Sequence, residues 1–260
     1  MIAEAIDEGK AGNVELIAIY DLVREHAEKL VKNLVKKPVI ANNAEELLTD
    51  KRIQLVIEAA SQKAVKQYAV KALSEEKDIM VLSTGALLDD EFFQNLSKLA
   101  EEKKRKIFVP SGAILGLDNV KSAVMGHVDE VTLITRKPPL SFEDSSFVKK
   151  KGIDLSSLEK PLTLYDGSAR EAVKLFPQNV NVSATLSLAG IGPDKTRVKI
   201  IIDPEIKEII HEIHVKGDFG EFWTRTINKP FPTNPKTSYI AALSAITTLK
   251  RMTSSVIVGT

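Results

Sequence analysis

Short apolar runs alternate with amphipathic segments in the first part of the chain. The runs are "VELIAIYD", "IQLVIEAA", "KDIMVLSTG" and "KIFVPSGA". Between them lie stretches such as "REHAEKLVKNLVKK", in which apolar residues recur at helical spacing. Continuous apolar runs of this length are typical of strands buried on both faces of a parallel sheet, and the intervening helices supply the crossovers. The pattern predicts an α/β domain.

The pattern changes after residue 112. Runs such as "EVTLITRKPP", "TRVKIIIDP", "IIHEIHVKGD" and "GEFWTRTINKP" alternate or are rich in β-branched residues, which predicts a mostly antiparallel sheet with interposed helices. The last helix shows a stripe of Ile240, Leu243, Ile246 and Leu249, and we expect it to pack against the first domain. The predicted domains are therefore 1–112 with 235–260, and 113–234.

Small, hydroxyl or acidic residues follow the predicted parallel strands. In an open parallel sheet, ligands bind just outside these carboxyl ends, which makes the edge a candidate nucleotide site. The candidates are Asp21, Ala60, Ser61, Ser83 and Thr84. Ordinary caps and turns are the alternative, and Ser61 is placed to cap a helix. An acid such as Asp21 binds a ribose hydroxyl and favours NAD over NADP, a preference that nearby Arg24 would soften.

The N-terminal stretch "MIAEAIDEGKAG" is the part of this pattern that departs from a dinucleotide-binding unit. It reads as the end of a helix, with Gly9 and Gly12 at its C-terminal turn. The strand and the Gly-x-Gly-x-x-Gly loop that normally come before such a helix are missing. We therefore expect residues 1–8 to be helical and the sheet to show a gap or irregular pairing between neighbouring strands. The alternative is a fold that never contained that strand.

Composition excludes several functions. The formal net charge is +1, which gives no reason to expect a nucleic acid or an anionic membrane as partner. Cysteine is absent, so thiolate chemistry and Cys-ligated zinc are excluded. The sequence shows no signal peptide and no apolar stretch of the roughly 20 residues needed to cross a bilayer, so we expect a cytoplasmic protein. High Lys, Glu and Ile content is typical of thermophiles.

Histidines are the candidate acid–base groups of the second half, because their ordinary pKa suits proton transfer near neutrality. In "IIHEIHVKG", His211 and His214 lie three residues apart and point to opposite faces of a strand, so they do not form a chelating pair. Nothing else in the sequence forms a metal-ligand cluster. Asn181 caps a helix or binds a ligand, and Lys236 lies in "TNPKTSY", which we expect to begin the last helix and to suit a carboxylate.

Several of these segments together resemble the L-aspartate dehydrogenase family, especially its archaeal and thermophilic members. They are "IEAASQKAVKQYA", "VLSTGA", "VPSGAILGLD", "TRKPP", "FPQNVNVSATLSLA", "IIHEI" and "NPKTSYIAALS". The resemblance implies a Rossmann-type domain lacking its first strand and an α+β catalytic and dimerisation domain. It implies NAD- or NADP-dependent oxidation of L-aspartate to iminoaspartate, the reverse being reductive amination of oxaloacetate with ammonia. This reaction would feed NAD biosynthesis.

The resemblance also implies site residues. His211 matches the active-site histidine, and Ala113 and Asn181 match contacts to the nicotinamide side of NAD. Ala60, Ser61, Ser83 and Thr84 match residues along the cofactor. Basic groups, with Lys137 and Lys236 as candidates, would bind the substrate carboxylates. A homodimer formed through the β-rich domain is expected, because an exposed sheet face favours a partner.

Two alternatives stay open at this point. The first is a related two-domain reductase with another substrate, although the chain lacks the Cys nucleophile of semialdehyde enzymes and the His-rich helix of dihydrodipicolinate reductases. The second is a truncated, non-catalytic homologue that binds the cofactor poorly. Family members often have Gly-Gly where this chain has Leu115-Gly116, so the loop there is expected to differ.

Overall fold

The computed structural model describes residues 1–177, 181–232 and 234–259, apart from the side chains of 234–236. In this part of the chain the α-helices are α1 (Ile2–Asp7), α2 (Arg24–Asn33), α3 (Ala44–Thr49), α4 (Gln62–Ser74), α5 (Asp90–Lys103), α6 (Leu117–Ala123), α7 (Ser146–Lys150), α8 (Ala169–Leu175), α9 (Asn181–Ala189) and α10 (Tyr239–Met252). The strands are β1 (Ala18–Ile19), β2 (Val39–Ile40), β3 (Leu55–Glu58), β4 (Asp78–Val81), β5 (Ile107–Phe108), β6 (Val128–Lys137), β7 (Leu162–Ser168), β8 (Arg197–Ile202), β9 (Ile209–Gly217), β10 (Gly220–Asn228), β11 (Pro230–Phe231) and β12 (Asn234–Ser238).

The chain divides into two compact units. The N-terminal unit comprises Met1–Pro110 and Ala242–Val258, and the central unit comprises Ser111–Ala241 with Gly259. No helix among the described residues is long and apolar enough to span a membrane.

All strands of the N-terminal unit are parallel, but they form two separate sheets. One sheet is β1–β2, and the other has the order β3–β4–β5. Among the described residues, no strand lies between β1 and β3, and α1 is helical as predicted. Both expectations for the start of the chain are therefore confirmed.

The predicted strand over Val14–Asp21 is only two residues long in the structure, Ala18–Ile19. Its backbone pairs with β2 alone, where the Val39 and Ala41 amides donate to carbonyls on either side of Ala18. A strand needs hydrogen-bonded neighbours to stay regular, and β1 has one on a single edge. The rest of the apolar run packs into the core without forming a ladder.

Side-chain caps begin the helices that follow these strands. Ser61 Oγ accepts from the Ala64 amide at 3.2 Å at the start of α4, as predicted. Asn43 caps α3 and Asp89 caps α5 in the same way. Each cap satisfies an amide that has no partner within its own helix, which fixes the residue at which that helix begins.

The last helix packs against the N-terminal unit, but not along the predicted stripe. Ala245 and Leu249 of α10 are buried with Ile6, Ala11 and Met80. The prediction is wrong for Ile240 and Leu243, which are 45% and 39% exposed. A helix has about 3.6 residues per turn, so apolar residues spaced three apart drift around its axis, and Ile240 lies on the side opposite the buried Leu249.

The central unit contains a five-stranded mixed sheet in the order β10–β9–β6–β8–β7. Only β6 and β8 are parallel, and the other three pairs are antiparallel. The predicted fold class is thus confirmed. The stretch Asn234–Ser238 is a strand paired with β11 rather than the start of the last helix, so that expectation is wrong.

Candidate functional site

The strand-end edge of the N-terminal unit holds the predicted cofactor residues. Asp21 follows β1, is exposed, and accepts a hydrogen bond from the Val23 amide at Oδ1, 2.9 Å away. Arg24 is held by Glu28 and Asn42 rather than by Asp21. The carboxylate therefore faces solvent without a guanidinium partner, an arrangement that suits ribose hydroxyls better than a 2′-phosphate.

A buried carboxylate ties two of these strand ends together. Glu58, the last residue of β3, accepts from the Ala60 and Ser61 amides at 2.7 and 2.8 Å. It also accepts from the Ser83 amide at 3.0 Å and the Ser83 hydroxyl at 2.9 Å. Thr84 follows at the start of a buried 3-10 helix, Thr84–Leu88. The turns after β3 and β4 are thus fixed to one another by a single side chain.

His211 lies on the buried face of the central sheet. It is 3% exposed, and its Nδ1 lies 3.0 Å from Thr135 Oγ1 on β6, its cross-strand partner. Burial, and then repulsion from Lys137, lowers the pKa of His211 to about 3. The imidazole is therefore neutral at physiological pH, and one of its ring nitrogens carries no proton.

Lys137 lies on the same sheet face as His211, two residues beyond Thr135 on β6. It is 4% exposed, and burial lowers its pKa to about 8. Since His211 is already neutral where Lys137 titrates, the two groups do not repel each other near neutral pH. The site combines a neutral imidazole with a largely protonated, desolvated ammonium, the charge that a carboxylate ligand would pair with.

His214 points to the other face, as predicted. It stacks on Trp223 with ring centroids 3.9 Å apart, and its Nε2 lies 3.2 Å from a Glu221 carboxylate oxygen. His26 and His127 are exposed on the surface. Among the four histidines, only His211 is buried beside a second polar residue of the inner sheet face.

The predicted nicotinamide contacts lie near each other in the central unit. Ala113 is buried in a loop, and its carbonyl accepts from Thr226 Oγ1 and Asn228 Nδ2. Asn181 begins α9, and the neighbouring Val182 side chain faces Gly112, whose ideal Cβ would lie 3.7 Å from Val182 Cγ1. The side chain of Lys236 lies outside the described residues.

Four polar residues of this arrangement were not predicted from the sequence: Glu58, Thr135, Thr226 and Asn228. A signal exists for Glu58, since a carboxylate ends the apolar run "IQLVIE" and must find partners inside the fold. For Thr135, strand alternation places it on one face with Lys137. No local sequence pattern indicates that the side chains of Thr226 and Asn228 hydrogen-bond to the Ala113 carbonyl.

Comparison with known proteins identifies the family. The profile described as aspartate dehydrogenase, C-terminal, matches residues 118–252, and that of the homoserine dehydrogenase NAD binding domain matches residues 1–110. L-Aspartate dehydrogenase from Methanosarcina barkeri is 46% identical over 259 residues, covering 100% of this chain and 94% of the relative. The chain belongs to the aspartate dehydrogenase family.

Solved structures agree with membership of the aspartate dehydrogenase family. Aspartate dehydrogenase from Thermotoga maritima superposes with a TM-score of 0.74 at 28% identity, covering 97% of this chain and 95% of that one. The myo-inositol dehydrogenase of Lactobacillus casei, solved with NAD(H) and myo-inositol, shares only the fold, with a TM-score of 0.53 at 15% identity. This protein therefore has the fold of an NAD(P)-using dehydrogenase.

The N-terminal unit presents the Asp21 carboxylate at the surface, a group that can bind ribose hydroxyls. The 260 residues contain no Gly-x-Gly-x-x-Gly. The usual cradle for a pyrophosphate is thus not supplied by the N-terminal unit as described.

Proposed function

We propose that the protein is an NAD(P)-dependent L-aspartate dehydrogenase that converts L-aspartate to iminoaspartate. One Cα–H bond and one N–H bond of the substrate are broken, and a C=N bond forms. When bound, NAD(P)⁺ supplies the electron acceptor for the hydrogen and electron pair of Cα. The observation that carries the proposal is the buried, neutral His211 aligned with Thr135 beside Lys137. The product, an α-imino acid, is a precursor for NAD biosynthesis.

The cofactor is proposed to lie along the residues that match the family. Asp21 binds the adenosine ribose, and the turns after β3 and β4 with Ala60, Ser61, Ser83 and Thr84 line the cofactor. Ala113 and Asn181 orient the nicotinamide. Asp21 favours NAD over NADP because a carboxylate repels a 2′-phosphate. An Asp21→Ser variant is expected to lower the ratio of kcat/KM for NAD to kcat/KM for NADP, and an unchanged ratio would contradict this role.

His211 is proposed as the base that takes the proton from the substrate amine. In the tautomer proposed here, Nδ1–H donates to Thr135 Oγ1, which leaves the lone pair on Nε2 as the accepting atom. The neutral form persists down to acidic pH because burial disfavours the imidazolium. The same histidine can return a proton in the reverse reaction.

Lys137 is proposed to bind a substrate carboxylate, and Lys236 to bind the other. An ammonium held out of water gains from pairing with a carboxylate, because the charge of each partner offsets the desolvation of the other. Burial of Lys137 thus makes it better suited to this role than an exposed lysine.

Histidine substitution tests the proposed chemistry. In the purified chain we expect aspartate-dependent NADH formation, followed by absorbance, to fall about 10²- to 10⁴-fold in His211→Ala. His214→Ala is the matched control, since this residue lies on the same strand but faces away, and it should keep full turnover. Full turnover in His211→Ala would refute the assignment.

A non-catalytic homologue is the second candidate, and the divided sheet of the N-terminal unit is the observation that favours it. Two separate sheets place the strand ends less firmly than one continuous sheet. Titration of NADH fluorescence distinguishes the two. No saturable NADH binding would support the non-catalytic alternative, whereas binding with aspartate-dependent turnover supports the dehydrogenase.

We infer further that the protein works as a homodimer in the cytoplasm. On the outer face of β10, Trp223 and Ile227 are 63% and 62% exposed, and large exposed apolar side chains on a sheet favour a protein partner. Light scattering is expected to give twice the mass of the chain, and Trp223→Glu should reduce it to the monomer. A monomeric wild-type protein would contradict the inference. Cell fractionation tests the compartment.

A further inference from the structure

We propose that Thr224, Thr226 and Asn228 are positioning residues that fix the Ala113 loop against the strand carrying His211. These three residues are called the β10 ladder. The inference rests on the proposed function, because the loop would hold the nicotinamide side of the cofactor and His211 would handle the substrate proton.

The side chains of the β10 ladder form hydrogen bonds to two backbone carbonyls of the loop. Thr226 Oγ1 lies 3.1 Å and Asn228 Nδ2 lies 3.3 Å from the Ala113 carbonyl oxygen. Thr224 Oγ1 donates to the Leu115 carbonyl at 3.2 Å. Alternate residues of a strand point to one face, so all three can reach the same loop. Two donors saturate the Ala113 carbonyl, whose oxygen has two lone pairs.

The ladder is also joined to the histidine strand. Thr226 is the cross-strand partner of His211, and its Oγ1 lies 3.4 Å from the His211 carbonyl. Asn228 Nδ2 lies 3.0 Å from the Thr226 hydroxyl oxygen, which orients that hydroxyl toward Ala113. A single threonine therefore touches both the loop and the residue that would do the chemistry.

Steric packing of the loop supports the same conclusion independently. Gly116 has a φ of +88°, and a Cβ placed there would come within 2.9 Å of Thr224 Cγ2. Gly112, at the other end of the loop, has a φ of +68°. Two left-handed backbone positions bound a short segment packed directly on the ladder, so the loop cannot shift without losing these contacts.

The consequence is control of the distance between the loop and His211. Reacting groups must be held within a fraction of an ångström, and a misplacement of about 1 Å costs about 10²-fold in rate. The ladder residues need not touch the substrate for this, so they act on kcat by holding the groups that do.

Thr226→Val and Thr226→Ser form the matched test in the full chain. Valine keeps the shape and removes the hydroxyl, whereas serine keeps the hydroxyl. We expect Thr226→Val to lower kcat about 10- to 100-fold, with a smaller change in the KM for aspartate. The isotope effect with aspartate deuterated at Cα should rise, because hydrogen transfer becomes slower than product release. Thr226→Ser should restore both values.

Amide hydrogen exchange supplies a readout that needs no activity. We expect exchange of the loop amides at 112–116 to be at least about 10-fold faster in Thr226→Val than in Thr226→Ser. Thr132→Val is the control for the loss of a hydroxyl elsewhere in the sheet. The Thr132 hydroxyl donates to the carboxylate of the exposed Glu130, so this variant should change neither kcat nor the exchange rate of the loop amides. Thr224→Val is a second variant acting at Leu115.

The outcomes separate the two proposals. An inactive wild-type chain that binds no NADH would refute the proposed function. In that case, the exchange data alone would test whether the β10 ladder holds the loop in place. Unchanged exchange in both Thr226→Val and Thr224→Val, or unchanged kcat and isotope effect in an active Thr226→Val enzyme, would overturn the ladder.

Discussion

Replacing Lys137 with methionine should make the protein more stable at neutral pH. Lys137 is buried on the inner sheet face, and burial holds its pKa at about 8, well below its ordinary 10.5. The unfolded chain therefore binds a proton more tightly than the folded chain does. Below pH 8 the folded state carries the full penalty of a desolvated ammonium. Methionine fills a similar volume without a charge.

The size of the gain follows from the pKa difference. Each unit between the folded and unfolded values is worth about 1.4 kcal/mol. The difference between 10.5 and about 8 gives a penalty of about 3 kcal/mol at pH 7, which declines to about 1 kcal/mol at pH 10 as the unfolded lysine also loses its proton. The advantage of Lys137→Met should shrink by about 2 kcal/mol across this range.

Urea unfolding at pH 7 and pH 10 measures this change. Trp223, the single tryptophan, lies in the central unit and reports its unfolding by fluorescence. Lys77→Met is a second variant for comparison: Lys77 is also buried, and its Nζ donates to the Asp50 and Ile53 carbonyls at 2.7 and 2.9 Å. Its loss should destabilise by about 1–3 kcal/mol, because two acceptors lose a charged donor.

The reasoning would be refuted if Lys137→Met were less stable than the wild type at pH 7. It would also fail if the stability difference were the same at pH 7 and pH 10. A stabilised variant that no longer oxidises aspartate would indicate that the lysine is kept for binding at a cost to the fold.

Other predictions concern His211, Glu58 and Gly116. Because the pKa of His211 falls from 6.5 to about 3 on folding, the wild type should lose about 2 kcal/mol of stability between pH 7 and pH 5 through this group, and His211→Gln should lose that slope in urea unfolding; equal slopes would disprove it. Glu58→Gln places an amide NH₂ group against buried N–H and O–H donors, so it should lower the free energy of unfolding by about 2–3 kcal/mol, more than Ser83→Ala does. It should also weaken NADH binding more than Ser83→Ala does. Calorimetry and fluorescence titration measure the two effects, and unaltered NADH affinity would argue against a cofactor role. Gly116→Ala should lower the thermal midpoint more than Gly152→Ala, because both have positive φ but only the former meets a neighbouring side chain; equal losses would show that the contact is unimportant.

Local sequence patterns determined the elements of this fold. The apolar runs at "IQLVIE" and "DIMV" predict β3 and β4 because a strand buried on both faces needs continuous apolar residues. Alternation in "IIHEIHVKG" correctly separates His211 from His214, since the strand period is two whatever surrounds it. Local pattern does not predict where a strand ends when its hydrogen-bonded neighbours decide this. β1 is short because it pairs with another strand on one edge only.

The fold class and the opposite orientations of His211 and His214 could thus be predicted from the residue pattern, but that pattern did not show which of the two histidines is buried. The surroundings of His211 depend on the tertiary structure. Thr135 and His211 are 76 residues apart, and Thr226 and Ala113 are 113 apart, so their contacts depend on strand register and loop packing. Register is fixed by the whole sheet and not by any local pattern. The burial of Lys137 and the hydrogen bonds from β10 to the Ala113 loop can therefore be seen only in the folded chain.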